Sequence, residues 1–175
     1  HSVRLSPFVN TVYAFEPSSP LMDLLDLNLR LTGSANVSTY RLALTDSLDN
    51  AMSASDSSIW THDKDIITST TFDDFVAKSE LNTSSCLINI DVDGYEGKVI
   101  DGMRHFLENH AESTDIIIEI TPHNMARFDS NPAAMFDLLD QFDYSIYQII
   151  DAHGDSPATD DSLEVRINQR PVARL

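Results

Sequence analysis

The sequence predicts an α/β fold built on a mostly parallel β-sheet with helices on both faces. Three observations predict this fold class. Short β-branched and apolar runs alternate with segments whose apolar residues recur at helical spacing. Glycine, proline and N-capping residues stand at the joints between these segments. A strand that is followed by a helix and another strand implies a right-handed crossover, and therefore parallel neighbours.

The chain begins with a strand and a helix. Residues 11–15 form a short apolar, β-branched and aromatic run, which predicts a buried strand. Ser19 and Pro20 predict the N-cap and the first position of a helix, and Gly33 stands where that helix would end. The predicted apolar face of this helix carries Leu21, Leu24, Leu25 and Leu29.

The next segments are less regular. Residues 38–44 predict a second strand, which is followed by Asp46. Residues 47–58 are rich in Ser, Asp and Asn and predict a loop or an excursion. Residues 59–72 mix β-branched residues with charge and predict one or two weak strands, and Phe72–Lys78 predicts a short helix.

The strongest strand signal of the chain lies at residues 86–92, and Gly94 breaks it. Residues 95–109 then predict one helix, and residues 115–120 predict another apolar strand. The apolar face of the predicted helix carries Val99, Ile100, Met103, Phe106 and Leu107.

The last third of the chain continues the alternation. Asn131 and Pro132 predict the start of a helix that runs to about Phe142. The remaining segments predict a strand at 144–150, a polar loop at 153–162 and a last strand at 163–167. Neither an internal repeat nor a linker divides the sequence, so we expect residues 1–175 to form a single domain.

The charge of the chain argues against two classes of partner. The sequence has 11 basic and 28 acidic residues and a net charge of −17. Nucleic acids and anionic membranes would repel such a surface. An ordinary acidic protein is the favoured interpretation of this charge, and a salt-adapted source is the alternative. Cys86 has no second cysteine with which to pair, which suits a reducing compartment, so we expect a cytoplasmic protein.

In a parallel α/β sheet, ligands bind beyond the carboxyl ends of the strands. Polar side chains that follow the predicted strands are therefore the candidates for a functional site. They are Glu16, Asp46, Asp91, Asp93, Glu119 and His123.

Several motifs at these strand ends resemble a known family. They read Val-Tyr-Ala-Phe-Glu-Pro at 12–17, Ala-Leu-Thr-Asp at 43–46, Thr-Thr-Phe-Asp-Asp at 70–74, Ile-Asn-Ile-Asp-Val-Asp-Gly-Tyr-Glu at 88–96 and Ile-Ile-Ile-Glu at 116–119. Together they resemble the FkbM-type methyltransferases over about residues 11–123. The resemblance implies a Rossmann-like class I methyltransferase sheet that binds S-adenosylmethionine. It also implies an O-methyltransferase acting on a hydroxyl of a sugar or a secondary metabolite.

The resemblance and the strand-end rule together suggest a role for three carboxylates. Glu16 would accept hydrogen bonds from the cofactor ribose, and Asp46 from the adenine amino group. Asp91 would lie near the methionine end, where it would attract the sulfonium. Glu16 could instead be a plain solvated strand end, and Asp46 could only cap a turn.

Two alternatives concern the acidic residues after the strongest strand. Asp91, Asp93 and Glu96 could complement the N-terminus of the helix that begins near Tyr95, and for Asp93 and Glu96 this interpretation is favoured. Asp91, Asp93 and Glu119 could instead hold a metal ion, although a metal-free site is favoured.

Methyl transfer to a hydroxyl often needs a base that takes the proton. His123 follows a strand end and titrates in the useful range, and Glu119 is the second candidate. A surface-loop histidine is the simpler interpretation of His123.

The sequence departs from the family pattern in three places. Asn89 stands where the family has a lysine, and Asp93 stands where it has a glutamate. Residues 1–5 resemble the helix that comes directly after the family's first strand and glycine loop, so we expect that strand and loop to be missing from this chain. The first and third departures favour an alternative, which is a non-catalytic binding or structural module of the same fold. Another nucleotide-dependent enzyme on a doubly wound sheet is a further alternative.

Overall fold

The computed structural model describes residues 1–48, 52–53, 66–79, 81, 83–148 and 163–168, and for 52–53, 66 and 163–168 it describes the backbone only. The chain divides into two compact units, residues 1–70 and residues 71–175. Each unit is described by itself, and the single domain expected for residues 1–175 stays a prediction.

The described part of the first unit contains two α-helices and six short strands. The helices are α1 (Ser2–Leu5) and α2 (Ser19–Thr32), and the strands are β1 (Val12–Phe15), β2 (Val37–Tyr40), β3 (Ala43–Leu44), β4 (Met52–Ser53), β5 (Ile66–Ile67) and β6 (Ser69–Thr70). A 3₁₀ turn at Ser6–Phe8 follows α1. Strands β1 and β2 pair in parallel, as do β3 and β6, whereas β4 and β5 pair antiparallel.

Aromatic side chains stabilise the β1–β2 pair. Phe15 lies opposite Tyr40 in the register, and their rings stack with centroids 5.4 Å apart. Tyr13 stacks on the same Tyr40 ring at 6.4 Å. Such cross-strand contacts each contribute about 0.2–1 kcal/mol to stability. In β2 the β-branched residue Val37 also favours a strand. The predicted strand at 11–15 is thus confirmed.

Helix α2 is confirmed, and Gly33 ends it in the left-handed conformation, at φ +68°. One detail of its start is wrong. The N-cap is Ser18 rather than Ser19, because the Ser18 carbonyl already accepts the first helical hydrogen bond, from Met22 N–H at 2.9 Å.

The predicted core face of α2 is confirmed only in part. Leu29 is buried as predicted, but Met22 is buried as well, and Leu21 and Leu24 are 38% and 53% exposed. Apolar residues occur almost all around this helix, so periodicity alone could not select the face that packs.

The predicted strand at 38–44 is two strands in the structure. Strand β2 ends at Tyr40, and β3 begins at Ala43 and pairs with a different neighbour. The Tyr40 carbonyl accepts hydrogen bonds from Glu16 N–H and from Leu42 N–H, so the chain turns there. Of the predicted loop at 47–58, Met52–Ser53 forms a strand, and residues 49–51 and 54–58 lie outside the described residues.

The second unit combines helices with a mixed sheet. The described helices are α3 (Phe72–Lys78), α4 (Glu96–Asp101), α5 (Arg104–His110), α6 (Pro122–Ala126) and α7 (Pro132–Gln141). The strands are β7 (Cys86–Ile90), β8 (Thr114–Ile120), β9 (Ser145–Gln148) and β10 (Leu163–Asn168). They lie in the order β7-β8-β10-β9, with β7 and β8 parallel and β10 antiparallel to both of its neighbours.

The strands predicted at 86–92, 115–120, 144–150 and 163–167 are confirmed in type, and their described ends differ from the predicted ones by at most two residues. Residues 149–150 of the predicted strand lie outside the described residues. The predicted loop at 153–162 lies outside the described residues. Helix α7 begins as predicted, because the Asn131 side chain accepts a hydrogen bond from Ala134 N–H at 2.9 Å.

The single helix predicted for residues 95–109 is two helices, α4 and α5, and Asp73 explains the break. The Asp73 carboxylate accepts hydrogen bonds from His105 N–H at 2.9 Å and from Phe106 N–H at 2.8 Å. Its backbone N–H donates to the Gly102 carbonyl at 3.0 Å. A side chain from α3 therefore caps the first turn of α5 from 32 residues away in the sequence.

The core of the second unit lies on one face of β7 and β8. Ile90, Ile116, Ile118 and Ile120 are buried there, and α4 contacts both β8 and α7. All five residues of the predicted apolar face at 95–109 are buried as well. Burial of each large apolar side chain is worth about 1.5–3 kcal/mol. Among the described residues, no helix is both long and apolar enough to cross a bilayer.

Candidate functional site

Glu16 directly follows β1, as predicted. One of its carboxylate oxygens accepts a hydrogen bond from Ser18 N–H at 2.8 Å. Within the described residues the other oxygen accepts none. Burial raises the pKa of the Glu16 carboxyl, and the hydrogen bond from Ser18 offsets part of that rise. Glu16 is thus a half-buried acceptor with one oxygen available to a ligand.

Asp46 lies two residues beyond the end of β3 and is exposed. It accepts a hydrogen bond at 3.0 Å from the hydroxyl of Thr45, a buried residue whose backbone N–H donates to the Thr70 carbonyl. Glu16 and Asp46 therefore follow strands of two different two-stranded sheets. Asp46 still follows the last part of the predicted strand at 38–44, which is β3, but the part that pairs with β1 ends at Tyr40.

Asp91 and Glu119 lie at matching positions of neighbouring parallel strands. Ile90 of β7 is paired with Ile118 of β8, and Asp91 and Glu119 each come next in the chain. Side chains alternate along a strand, so both lie on the face opposite the buried isoleucines, together with Asn89. All three are exposed. The structure thus brings two of the predicted carboxylates to one edge of the sheet.

The chain makes a tight turn after Asp91. Asp93 and Gly94 have positive φ angles of +51° and +111°. A Cβ atom at Gly94 would lie 2.7 Å from the carbonyl carbon of Asn124, so only glycine fits there. This contact ties the segment after β7 to helix α6, which follows β8.

Glu96 lies in the first turn of α4, at the helix N-terminus where the sequence predicts it. Its burial is the unexpected feature, because the residue is only 1% exposed. One carboxyl oxygen accepts a hydrogen bond from Gly94 N–H at 2.9 Å, and the other is buried with no hydrogen-bond partner. Burial raises the pKa of Glu96, the backbone N–H groups of Gly94 and Glu96 lower it, and Asp93 and Asp91 raise it. A lone glutamate in a polar motif gives no sequence signal of such burial.

His123 lies in helix α6 rather than in a loop. Pro122 occupies the first turn of this short helix, and the His123 side chain is exposed. Its neighbour Asn124 contacts Gly94, so His123 belongs to the segment that packs on the turn after Asp91. The strand-end rule selects His123 but does not predict its helix, because five residues are too few to show a helical period.

The described part of the chain does not meet the requirements of a metal site. Among the described residues, no three His, Cys, Asp or Glu side chains are grouped closely enough to hold a metal ion. Cys86 is partly buried at the start of β7, and burial raises the pKa of its thiol.

The sequence profile of the methyltransferase FkbM domain matches residues 6–146. The chain belongs to the FkbM methyltransferase family. The predicted resemblance is therefore confirmed, and the match extends beyond the residues that first indicated it. Glu16, Asp46, Asp91, Glu119 and His123 all lie inside the FkbM match.

A solved FkbM methyltransferase has a similar fold. The crystal structure of methyltransferase FkbM from Methylobacillus flagellatus KT at 2.20 Å resolution matches with a TM-score of 0.59 and 15% identity. The match covers 90% of this chain and 36% of that one, so the chain spans about a third of the solved protein. At this identity the likeness shows the fold alone. No curated protein sequence matches the chain.

Proposed function

We propose that this FkbM-family chain is an S-adenosylmethionine-dependent O-methyltransferase, acting on a hydroxyl of a sugar or a secondary metabolite. The observation that carries the proposal is the position of the family's acidic residues. Glu16 and Asp91 directly follow β1 and β7, and Asp46 comes two residues after β3. Carboxyl ends of strands are where α/β sheets bind nucleotides.

The order of the strands in the second unit supports a Rossmann-like class I methyltransferase sheet. Strand β10 runs antiparallel between β8 and β9, while β7 and β8 are parallel. A parallel sheet with one late antiparallel strand keeps the carboxyl ends of β7 and β8 at a common edge. In this proposal helices cover both faces of the complete sheet.

The available oxygen of Glu16 fits a vicinal diol. A ribose offers two neighbouring hydroxyl groups, and a half-buried carboxylate with one oxygen already fixed by Ser18 presents the other in a set direction. We assign Glu16 to the ribose, Asp46 to the adenine amino group and Asp91 to the methionine end. When bound, S-adenosylmethionine supplies an electrophilic methyl group on a positively charged sulfur.

His123 is the proposed base. The acceptor hydroxyl must lose its proton as its oxygen gains the methyl group, and an imidazole nitrogen can accept that proton. Because His123 is exposed, it can pass the proton on to water. Glu119 is the second candidate, since it lies at the same sheet edge as Asp91.

Composition supports a small-molecule or glycan acceptor. A net charge of −17 disfavours nucleic acid and anionic membranes as partners. Cys86 is the single cysteine of the sequence and cannot form a disulfide within this chain, which supports a cytoplasmic location.

Binding of S-adenosylhomocysteine tests the proposal. We expect a saturating concentration to raise the Tm of the full-length natural protein, because a ligand that binds only the folded state stabilises it. Adenosine alone should produce a smaller shift, since it lacks the amino-acid end assigned to Asp91. An unchanged Tm with S-adenosylhomocysteine would contradict the proposal.

Methyl transfer from radiolabelled S-adenosylmethionine to a panel of sugar and phenolic hydroxyls tests the chemistry. We expect His123→Ala to reduce kcat by about 10²–10⁴-fold, the range of a lost general base, with cofactor affinity unchanged. Glu119→Ala serves as the comparison. If it reduces kcat and His123→Ala does not, Glu119 is the base.

One observation favours a second candidate function, which is a non-catalytic module of the same fold. Asn89 stands where the family has a lysine, and it is exposed on the same face of the sheet as Asp91. A protein that shows neither a thermal shift nor methyl transfer would be such a module. Asn89→Lys then provides a direct test of whether this position limits binding.

A further inference from the structure

We propose that Glu96 is a positioning residue that fixes the 91–95 turn, and through it the Asp91 carboxylate, for cofactor binding. The turn is the segment between the end of β7 and the start of α4. This inference rests on the proposed function, in which Asp91 faces the methionine end of the cofactor.

The burial of Glu96 needs a structural explanation. Its side chain is 1% exposed, and among the described residues no lysine or arginine pairs with it. An unpaired carboxyl in such a place is costly, because water no longer solvates it. The favourable contact that offsets this cost is the hydrogen bond that one oxygen accepts from Gly94 N–H.

That hydrogen bond closes a turn that its own backbone holds weakly. The backbone bond across the turn, from Tyr95 N–H to the Val92 carbonyl, is long at 3.4 Å. Asp93 also has a left-handed backbone at φ +51°, which costs free energy for a residue with a Cβ. The 2.9 Å bond to Glu96 is therefore the shorter of the two hydrogen bonds that hold this conformation.

The turn is also pressed against the segment that carries His123. Gly94 touches the backbone of Asn124, and Gly97, the residue after Glu96, touches the Ser130 side chain. A shift of the turn would thus disturb Asp91 on one side and α6 on the other. Glu96 lies between them and is too deeply buried to contact substrate.

The contact that Glu96 makes at the turn is that of an acceptor oxygen with Gly94 N–H. Burial, together with Asp93 and Asp91, raises the pKa of Glu96, although two backbone N–H groups lower it. The proposed role therefore depends on the acceptor oxygen. A glutamine supplies that oxygen with nearly the same shape, so Glu96→Gln should preserve the turn.

Three variants of the full-length protein test the inference, with Glu108→Ala as the matched control on an exposed glutamate of α5. Hydrogen exchange reports on the turn without any ligand, and titration with S-adenosylhomocysteine reports on binding. We expect Glu96→Ala to exchange at least tenfold faster over residues 91–95 and to bind at least tenfold more weakly. Glu96→Gln should stay within threefold of wild type in both measurements, and so should Glu108→Ala.

Glu96→Asp keeps the question answerable if Glu96→Ala does not fold. The shorter side chain retains the carboxyl but withdraws it from Gly94 N–H, so we expect faster exchange and weaker binding. Wild-type exchange and affinity in Glu96→Ala or Glu96→Asp would overturn the inference, as would damage by Glu96→Gln equal to that by Glu96→Ala. If wild type itself does not bind S-adenosylhomocysteine, the proposed function fails, while the exchange measurement still decides the role of Glu96 in the turn.

Discussion

The Glu16 carboxylate accepts a 2.8 Å hydrogen bond from the backbone N–H of Ser18, the residue that caps α2. This contact joins the end of β1 to the start of the next helix. It fixes one oxygen of Glu16 and leaves the other for a ligand. A side chain that could have been a mobile strand end is thereby held in one arrangement.

Removal of this carboxylate should weaken cofactor binding. Hydrogen bonds to a charged group are worth about 1.5–3 kcal/mol, so Glu16→Ala should raise the Kd of S-adenosylhomocysteine by about tenfold or more. Isothermal titration measures the change. Asp23→Ala, on the exposed surface of α2, is the control and should leave the Kd unchanged. An unaltered Kd in Glu16→Ala would remove the ribose role.

The stability of the protein should depend on the ionisation of Glu16. Burial raises the pKa of this carboxyl in the folded state, so folding favours its protonated form. Its contribution to stability is fully present below the pKa of the unfolded chain and is lost as the pH rises through the raised pKa. A glutamine at position 16 cannot ionise, so the Tm of Glu16→Gln minus the Tm of wild type should increase as the pH rises. Melting curves of both proteins between about pH 4 and pH 8 measure this difference in Tm. A difference that is constant or falls as the pH rises would contradict a raised pKa of Glu16 in the folded protein.

Asp73→Ala should destabilise the second unit. It removes the carboxylate that accepts from His105 and Phe106 N–H at the start of α5. Loss of an N-cap costs about 0.5–2 kcal/mol, and we expect the upper part of this range because two donors lose their acceptor. Urea unfolding measures the change. Asp137→Ala, on the exposed side of α7, should change the unfolding free energy by less than about 0.5 kcal/mol. Equal effects in the two variants would argue against the cap.

The two variants Gly94→Ala and Gly33→Ala distinguish a steric clash from the cost of a left-handed backbone in their effects on the free energy of unfolding. Both glycines have a positive φ, but a Cβ at Gly33 meets nothing within 4 Å, whereas one at Gly94 meets the Asn124 backbone at 2.7 Å. Gly33→Ala should cost about 1 kcal/mol, from the left-handed conformation alone. Gly94→Ala should cost more in the same unfolding experiment and should also disturb α6. A smaller cost at Gly94 than at Gly33 would show that the turn relaxes freely.

The order of helices and strands could largely be predicted, because it depends on local patterns. Residues 11–15 and 86–92 are apolar and β-branched enough to predict strands without any knowledge of their neighbours. Helix α3 has the bounds that its sequence predicts. The motifs around Glu16 and Asp91 also resemble those of the FkbM family, and that resemblance is confirmed.

The predictions from sequence are wrong where the structure depends on contacts between residues that lie far apart in the chain. The helix predicted at 95–109 is divided because Asp73 takes the N–H groups that would otherwise continue it. The strand predicted at 38–44 is divided because Ala43 and Leu44 pair with β6 instead of extending β2. Glu96 lies in the first turn of α4 as predicted, but local sequence does not indicate that its side chain is only 1% exposed.

The sequence by itself thus determined the types of the elements, the family and the acidic residues at the strand ends, because hydrophobic period and short motifs act within a few residues. Tertiary structure alone decided which strands pair, where two of the elements divide, which face of α2 is buried, and that Glu96 lies inside the protein. These outcomes depend on hydrogen bonds and close contacts between residues far apart in the chain. Local sequence cannot specify such contacts, because the backbone N–H and C=O groups of one segment find their hydrogen-bond partners in another segment.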